Sequence, residues 1–355
     1  MTQWLSETQE VLGRRLAWAA LAAMSIGLLA FATGLFGGES PRTFGALIAS
    51  WLFFAGAAAG ALAFRAFFRI VDARWARPLA GLGATQLGFA PVALLVLAVI
   101  LIGAGLAPWL HAEGAWMHLP ILAARQLALS AVLFGFAYLE LRRARGGDDR
   151  PKARSAVIYC LLFAVVVSVW AFDFVLGPDP AFQSTLIGTY VFMSAFIAGT
   201  GVVTLLALLR DKVGEGERRD VGAFMLALSI FWAYLFWSQY LPIWYGNLPD
   251  EAAFALRRGT GGQGAIVLAV IALVFAVPFL TLLLYPKGRG SRRVLGGLVM
   301  VQLLGLWLNC HMLVVPSLTA AGAPAIGPRD VFIALGMLGA FTLSSARGLR
   351  QVITA

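Results

Sequence analysis

Ten apolar runs, at about 15–36, 43–64, 79–106, 117–141, 155–177, 183–209, 221–245, 263–285, 294–316 and 330–350, constrain this chain more than any other feature. Each approaches or exceeds the roughly 20 residues that a helix needs to cross a hydrocarbon core. Lipid offers no partner to an unpaired backbone group, so such runs must be α-helical. A β-barrel would instead show strands of about 10 residues with alternating polarity. The expected fold class is an all-α integral membrane protein with about ten transmembrane helices. Composition agrees: 60% of residues are hydrophobic and 12% charged, where a soluble domain has about 45–50% and about 25%. The first run follows a polar segment, Met1 to Arg15, and is long enough to span, so it reads as a retained helix and not a cleaved leader.

The net charge of +10 could suggest a nucleic-acid partner, but the cations lie in the short connections between runs, where they set topology. With the N-terminus inside, 22 of the 27 Lys and Arg fall on the inner side, from Arg14 and Arg15 to Arg347 and Arg350. Four fall outside, Arg42, Arg257, Arg258 and Arg329, and Arg125 lies within a helix. Both termini are therefore expected on the cytoplasmic side. Cys160 and Cys310 belong to opposite ends of their helices and cannot pair; both read as small apolar residues.

An ionisable group at membrane depth is expensive and is read first as functional. Three stand out: Arg125 on the fourth helix, Asp173 on the fifth and His311 on the ninth. At 1.5 Å per residue they lie roughly 12, 6 and 7 Å below the outer ends of their helices. Arg125 and Asp173 are spaced to pair across consecutive helices. The inner half offers nothing comparable except Glu140. Ser238, Gln239, Tyr240, Trp244, Tyr245 and Asn309 gather at the outer level, as do Gln183, Ser184 and Tyr190 in the first turns of the sixth helix. Segment 241–254 carries two prolines and the carboxylates Asp250 and Glu251; because proline ends a helix, it is expected to be a structured outer loop, a proton exit or a docking surface. The chain lacks a second helical histidine for a membrane b-type haem, a CxxCH motif, a cysteine cluster, a P-loop and a GxSxG elbow.

Three stretches carry a resemblance: SQYLPIWYGNLPDE (Ser238 to Glu251), FDFVLGPDPAFQST (Phe172 to Thr185, with Asp173, Asp179 and Pro180) and WLNCHMLVVPS (Trp307 to Ser317). Together they resemble the ActF-type membrane subunit of alternative complex III, a bacterial quinol:cytochrome c oxidoreductase, within the ten-helix NrfD/PsrC-like group. The ninth helix departs from that pattern, with Asn309 where a carboxylate and His311 where a tyrosine is expected; Ala181 stands where a histidine is common.

The resemblance implies two four-helix bundles, helices 2–5 (residues 42–181) and 6–9 (182–317). Helices 1 (1–41) and 10 (318–355) flank them in one membrane domain of a bacterial cytoplasmic membrane. It implies a sister ten-helix quinol-binding subunit, an iron–sulfur subunit and multihaem c-type cytochrome subunits as partners. Haems and clusters are confined to those partners, and no metal or covalent cofactor is held here. Arg125, Asp173, Asp179, Ser238, Gln239, Tyr240, Trp244, Tyr245, Asn309 and His311 become candidates for a quinone or quinol pocket or a proton path. Two other classes stay open: a proton-coupled or small-solute transporter, which would need polar groups on both sides of the midplane and interrupted helices, and a scaffold subunit in which Arg125 and Asp173 are a fixed pair.

Overall fold

The computed structural model describes residues 13–106, 115–145, 152–247, 249–320 and 322–353. Ten helices are long and apolar enough to cross a membrane: α1 Arg14–Phe36, α2 Ser40–Ile70, α3 Arg74–Ala104, α4 Leu119–Arg143, α5 Ala153–Leu176, α6 Ile187–Leu209, α7 Glu215–Gly246, α8 Gly261–Leu284, α9 Arg292–Leu318 and α10 Pro328–Arg350. No strand occurs among the described residues. The chain is a multi-pass membrane protein.

α2 is the axis. Its most apolar stretch is entirely buried, against 17% for α1, and it packs on α3, α5, α6, α9 and α10. Other neighbours include α3 with α4, α6 and α10, α4 with α5, α5 with α6, α6 with α7 and α9, α7 with α8, and α8 with α9; α1 touches α2 and lies along α10. In lipid, helices gain little from the hydrophobic effect on meeting, so close backbone approach through small residues does much of the work. Gly56 and Gly60 of α2 face Ala195 and Gly199 of α6 so closely that a Cβ on Gly60 would lie 2.1 Å from the Ala195 carbonyl oxygen. Gly27 of α1 meets Gly336 of α10 in the same way. Tryptophans and a tyrosine pin the dry interior: Trp51 donates to the Ala93 carbonyl at 2.8 Å, Trp170 to Ser130 at 3.1 Å, Trp232 to Ser194 at 3.1 Å and Tyr159 to the Ala59 carbonyl at 3.2 Å.

Two expectations are corrected here. Segment 241–254 is not a loop: α7 runs through Pro242 to Gly246 and stops where Asn247 turns left-handed at φ 46°. A second helix, Pro249–Gly259, follows at once and is called the connecting helix below. Proline at the end of a long helix costs only the bond it cannot donate, and here the helix has one further turn to make. Gln183 and Ser184 also lie before α6, which begins at Ile187.

The arginine-rich half is more polar than the sequence reading held. Glu140 accepts from Arg69 and from Ser155 at 3.3 Å, with Arg65 at 3.9 Å. Buried Gln86 donates to Thr85 at 3.0 Å and accepts from Ser345 at 2.9 Å. Deeper, buried Gln302 of α9 donates to Ser229 at 3.0 Å and to the Val274 carbonyl at 3.1 Å. The cause is Pro278: lacking an N–H, it cannot serve the carbonyl four residues back, and α8 loosens into a π-turn over Ala272–Ala276. Gln302 supplies the missing donor. Cys160 and Cys310 are both free thiols.

Candidate functional site

At the face opposite the arginine-rich one, the C-terminal ends of odd-numbered helices and the N-terminal ends of even-numbered ones hold three buried carboxylates, each met by arginine.

The first is Asp173, fully buried near the end of α5. Arg125 of α4 reaches one oxygen with Nε at 3.1 Å and Nη2 at 2.8 Å. Gln126 donates to the same oxygen, and Trp116 donates to the other at 2.9 Å. Arg125 also lies 3.8 Å over the Trp116 ring and donates to its carbonyl at 3.1 Å. A π-turn over Phe172–Leu176 sets the carboxylate in place, a device common at functional positions. Gly177 closes it: a Cβ there would lie 2.3 Å from the Asp173 carbonyl oxygen and 2.4 Å from the Met117 side chain.

The second is Asp179, in the connection between α5 and α6. Arg257 of the connecting helix donates to it at 2.9 Å and Ser317 at 3.2 Å, and Arg258 stands 3.8 Å away. Arg258 is only 4% exposed, although the sequence placed it among the outer cations. It serves α9, where Pro316 cannot donate to Met312. Arg258 Nε does so instead at 2.9 Å, while Nη2 donates to the Leu313 carbonyl at 2.8 Å and to Ser317 at 2.7 Å. Nη1 donates to the Phe254 carbonyl at 3.1 Å, and the guanidinium covers the Phe254 ring at 3.3 Å. Burial pushes the Arg258 pKa down from 12.5 to about 9, partly offset by Asp179, so it is cationic at neutral pH and its charge suits a helix C-terminus. Arg258→Met is expected to lower stability by about 3 kcal/mol, since three carbonyls lose a donor and Asp179 loses a nearby cation together. Thermal unfolding in mild detergent measures it, and a melting temperature equal to wild type would show that the fork is dispensable.

The third is Asp330, at the start of α10. Arg42 of α2 forks onto it at 2.6 and 3.3 Å, the Gly327 amide donates at 2.8 Å, and His311 Nε2 lies 3.3 Å away. Beside it, Tyr190 of α6 donates to Asn309 of α9.

Beside the second cluster lies a cavity of about 140 Å³, comparable to the roughly 150 Å³ that accepts one benzene ring. Its walls include Phe182, Tyr190, Gln239, Tyr240, Phe254 and Arg258. Phe182 stacks on Phe254 at 3.7 Å and 10°. Gln239 accepts from Ser184 at 2.5 Å, while its Nε2 has no partner. Five buried side-chain atoms among the described residues lack one, and four belong to these clusters: Gln126 Oε1, Gln239 Nε2, Asn309 Nδ2 and His311 Nδ1. A buried polar group left unbonded costs about 1–3 kcal/mol, so such a concentration marks room for water, protons or a polar ligand.

The sequence candidates thus separate into groups. Arg125 and Asp173 meet; Gln239 and Tyr240 line the cavity; Asn309 and His311 lie deeper; Asp179 joins the connecting helix. Trp244 and Tyr245, 61% and 85% exposed, face outward and are not part of this cavity's lining, and Ser238 joins none of these clusters. Asp250 and Glu251 stand in the connecting helix, with side chains outside the described residues. The sequence reading missed Trp116 and Gln126 as partners of Asp173, Arg257 and Arg258 as partners of Asp179, and the whole Arg42–Asp330 pair. For Gln126 a signal existed, its position one residue after Arg125 in an apolar helix.

No protein-family model and no curated protein matches this chain.

Proposed function

We propose that the chain is the metal-free membrane subunit of a quinol-oxidising respiratory complex of the quinol:cytochrome c oxidoreductase type, lying in a bacterial cytoplasmic membrane with both termini inside. The observation that carries this reading is the ring-sized aromatic cavity with an unbonded amide at its wall, set among further orphaned polar atoms at one face. A quinone ring presents flat π-faces to aromatic side chains and carbonyl oxygens to donors, and Gln239 Nε2 is a donor without an acceptor. Quinol oxidation releases protons, and the His311 imidazole beside Asp330 is a group that can take one. Electrons pass to haems and iron–sulfur clusters of partner subunits. The neighbour relations support two four-helix rings, α2–α5 and α6–α9, meeting at α2 and α6, with α1 and α10 paired outside.

A scaffold role is the second reading, favoured by the arginine partners on Asp173, Asp179 and Asp330. A transporter has less support, because the mid-depth polar set around Gln302 is satisfied internally and answers to Pro278.

Gentle purification of the tagged chain from its native membrane tests the assignment. Co-purifying c-type cytochrome with its reduced-minus-oxidised spectrum, an iron–sulfur protein and a second ten-helix subunit is expected; a lone colourless protein would overturn it. The cavity is tested by quenching of intrinsic fluorescence with a short-chain quinone. Gln239→Leu is expected to weaken binding about tenfold, the loss of one hydrogen bond of about 1.4 kcal/mol. Unchanged affinity would remove Gln239 from the site and favour the scaffold.

A further inference from the structure

A second opening differs in chemistry from the aromatic cavity. It is a groove of about 440 Å³ walled by α1, α2, α6, α9 and α10, with Phe53, Leu205, Leu303, Leu338 and Phe341 among its lining. Its polar wall residues are already bonded within the protein. Gln86 and Ser345 hold each other, Thr342 donates to the Leu338 carbonyl at 2.8 Å, and Trp307 donates to Ser50 at 3.5 Å. None of its lining atoms is among the unbonded ones. A headgroup or ring carrying carbonyls would find no donor here, whereas hydrocarbon loses nothing on entering.

The dimensions select a chain. Along α10 the groove runs from Val331 to Leu349, roughly 27 Å at 1.5 Å per residue and close to the roughly 30 Å hydrocarbon thickness. Counting all space open to the side, about 1440 Å³, the mean section over that length is roughly 53 Å². An α-helix 10–12 Å across needs roughly 80–110 Å². The groove is too narrow to enclose a partner helix and wide enough to enclose an extended acyl chain.

The two mouths differ in charge. At the arginine-rich end, lining residues Leu16, Leu209 and Ala346 adjoin Arg15, Arg210 and Arg347. No ion pair or side-chain hydrogen bond is formed by any of these three arginines among the described residues. Other arginines on that face find acids, Arg69 on Glu140, Arg219 on Glu215 and Arg292 on Asp211, while Arg14, Arg74 and Arg293 lie away from the groove's lining. At the opposite mouth the charges are paired off, Arg42 with Asp330 and Arg329 with Glu39. Basic recesses between transmembrane helices bind anionic lipid headgroups.

We propose that this groove is a binding site for an anionic phospholipid, with an acyl chain along α10 and its phosphate held by Arg15, Arg210 and Arg347. The site is independent of the quinone reading and lies at the other face.

The test is lipid extraction and native mass spectrometry of the full chain purified in mild detergent. An anionic phospholipid should be retained and enriched over its membrane proportion at least tenfold relative to phosphatidylethanolamine. The Arg15→Gln, Arg210→Gln, Arg347→Gln triple variant changes only side chains without partners, so it is expected to fold and to lose that enrichment. Ala334→Phe, which narrows the groove without touching any arginine, is expected to lower retention as well. Retention in membrane proportions, or a triple variant that keeps wild-type enrichment, would overturn the proposal. So would a photo-crosslinker at Leu338 that captures polypeptide and no lipid.

Discussion

Asp173→Ala is expected to lower the stability of the folded chain by about 3–5 kcal/mol, the range for removing one partner of a buried ion pair. The size follows from what is left behind. Arg125, Gln126 and Trp116 all donate to this carboxylate, and Asp173 is fully buried. Removing it strands a guanidinium 12% exposed and the fully buried Gln126 amide, where no water replaces the acceptor. Asp173→Asn keeps an acceptor oxygen and the volume, so it is expected to cost markedly less. Thermal unfolding in mild detergent, followed by fluorescence-detected size exclusion, ranks the three proteins. A melting temperature for Asp173→Ala within a degree of wild type would show that the pair holds nothing. Turnover of the proposed quinol-oxidising complex adds the functional arm: Asp173→Asn with normal assembly and lost turnover assigns the carboxylate to proton movement, and normal turnover assigns it to structure.

Gly60→Leu is the second large effect, and even Gly60→Ala is expected to be destabilising. The added Cβ would lie 2.1 Å from the Ala195 carbonyl oxygen and 2.8 Å from its carbonyl carbon. Those are backbone atoms of α6, so no side-chain rotation relieves the contact and the helices must separate. Overpacking costs about 1–3 kcal/mol and sometimes more, and leucine at this seam belongs at the upper end. Gly297→Ala is the control. Nothing lies within 4 Å of a Cβ there, and alanine is favoured over glycine inside a helix by roughly 0.5–1 kcal/mol. Loss of the monodisperse peak for Gly60→Leu beside an unchanged or raised melting temperature for Gly297→Ala would locate close packing at the α2–α6 seam. Equal behaviour of the two variants would refute it.

Ten spans were legible because the bilayer admits one solution for each long apolar run. The pairing of Arg125 with Asp173 was legible for a related reason. Two isolated opposite charges at similar depth on consecutive helices have few other partners, and an unpaired one is costly. Asp179, Gln239 and His311 were legible as polar residues at one level, but not their partners. Nor did the sequence distinguish Tyr240, which lines the cavity, from Trp244 and Tyr245, which face outward; aromatic residues at a membrane interface look alike until the helix is rotated into place.

The prolines show where the sequence rule stops. Pro278 and Pro316 each remove an N–H, which predicts a freed carbonyl but not its rescuer. Gln302, 28 residues away from Val274 in sequence, and Arg258, 54 residues away from Met312, take those roles. Arg258 sits in a connection rich in polar residues, where a cation ordinarily faces water, so its burial had no local signal.

Apolar length and the cost of charge in lipid therefore determined, from sequence alone, that this chain forms about ten membrane-crossing helices and which few ionisable groups must be accounted for. The tertiary structure alone decided that Arg42 finds Asp330 across 288 positions, that Gly60 and Gly199 set a close seam between α2 and α6, and that Gln239, with its amide nitrogen unbonded, lines an aromatic cavity. Crossing the membrane is a property each segment satisfies by itself, whereas partner choice depends on the relative rotation and depth of helices far apart in the chain.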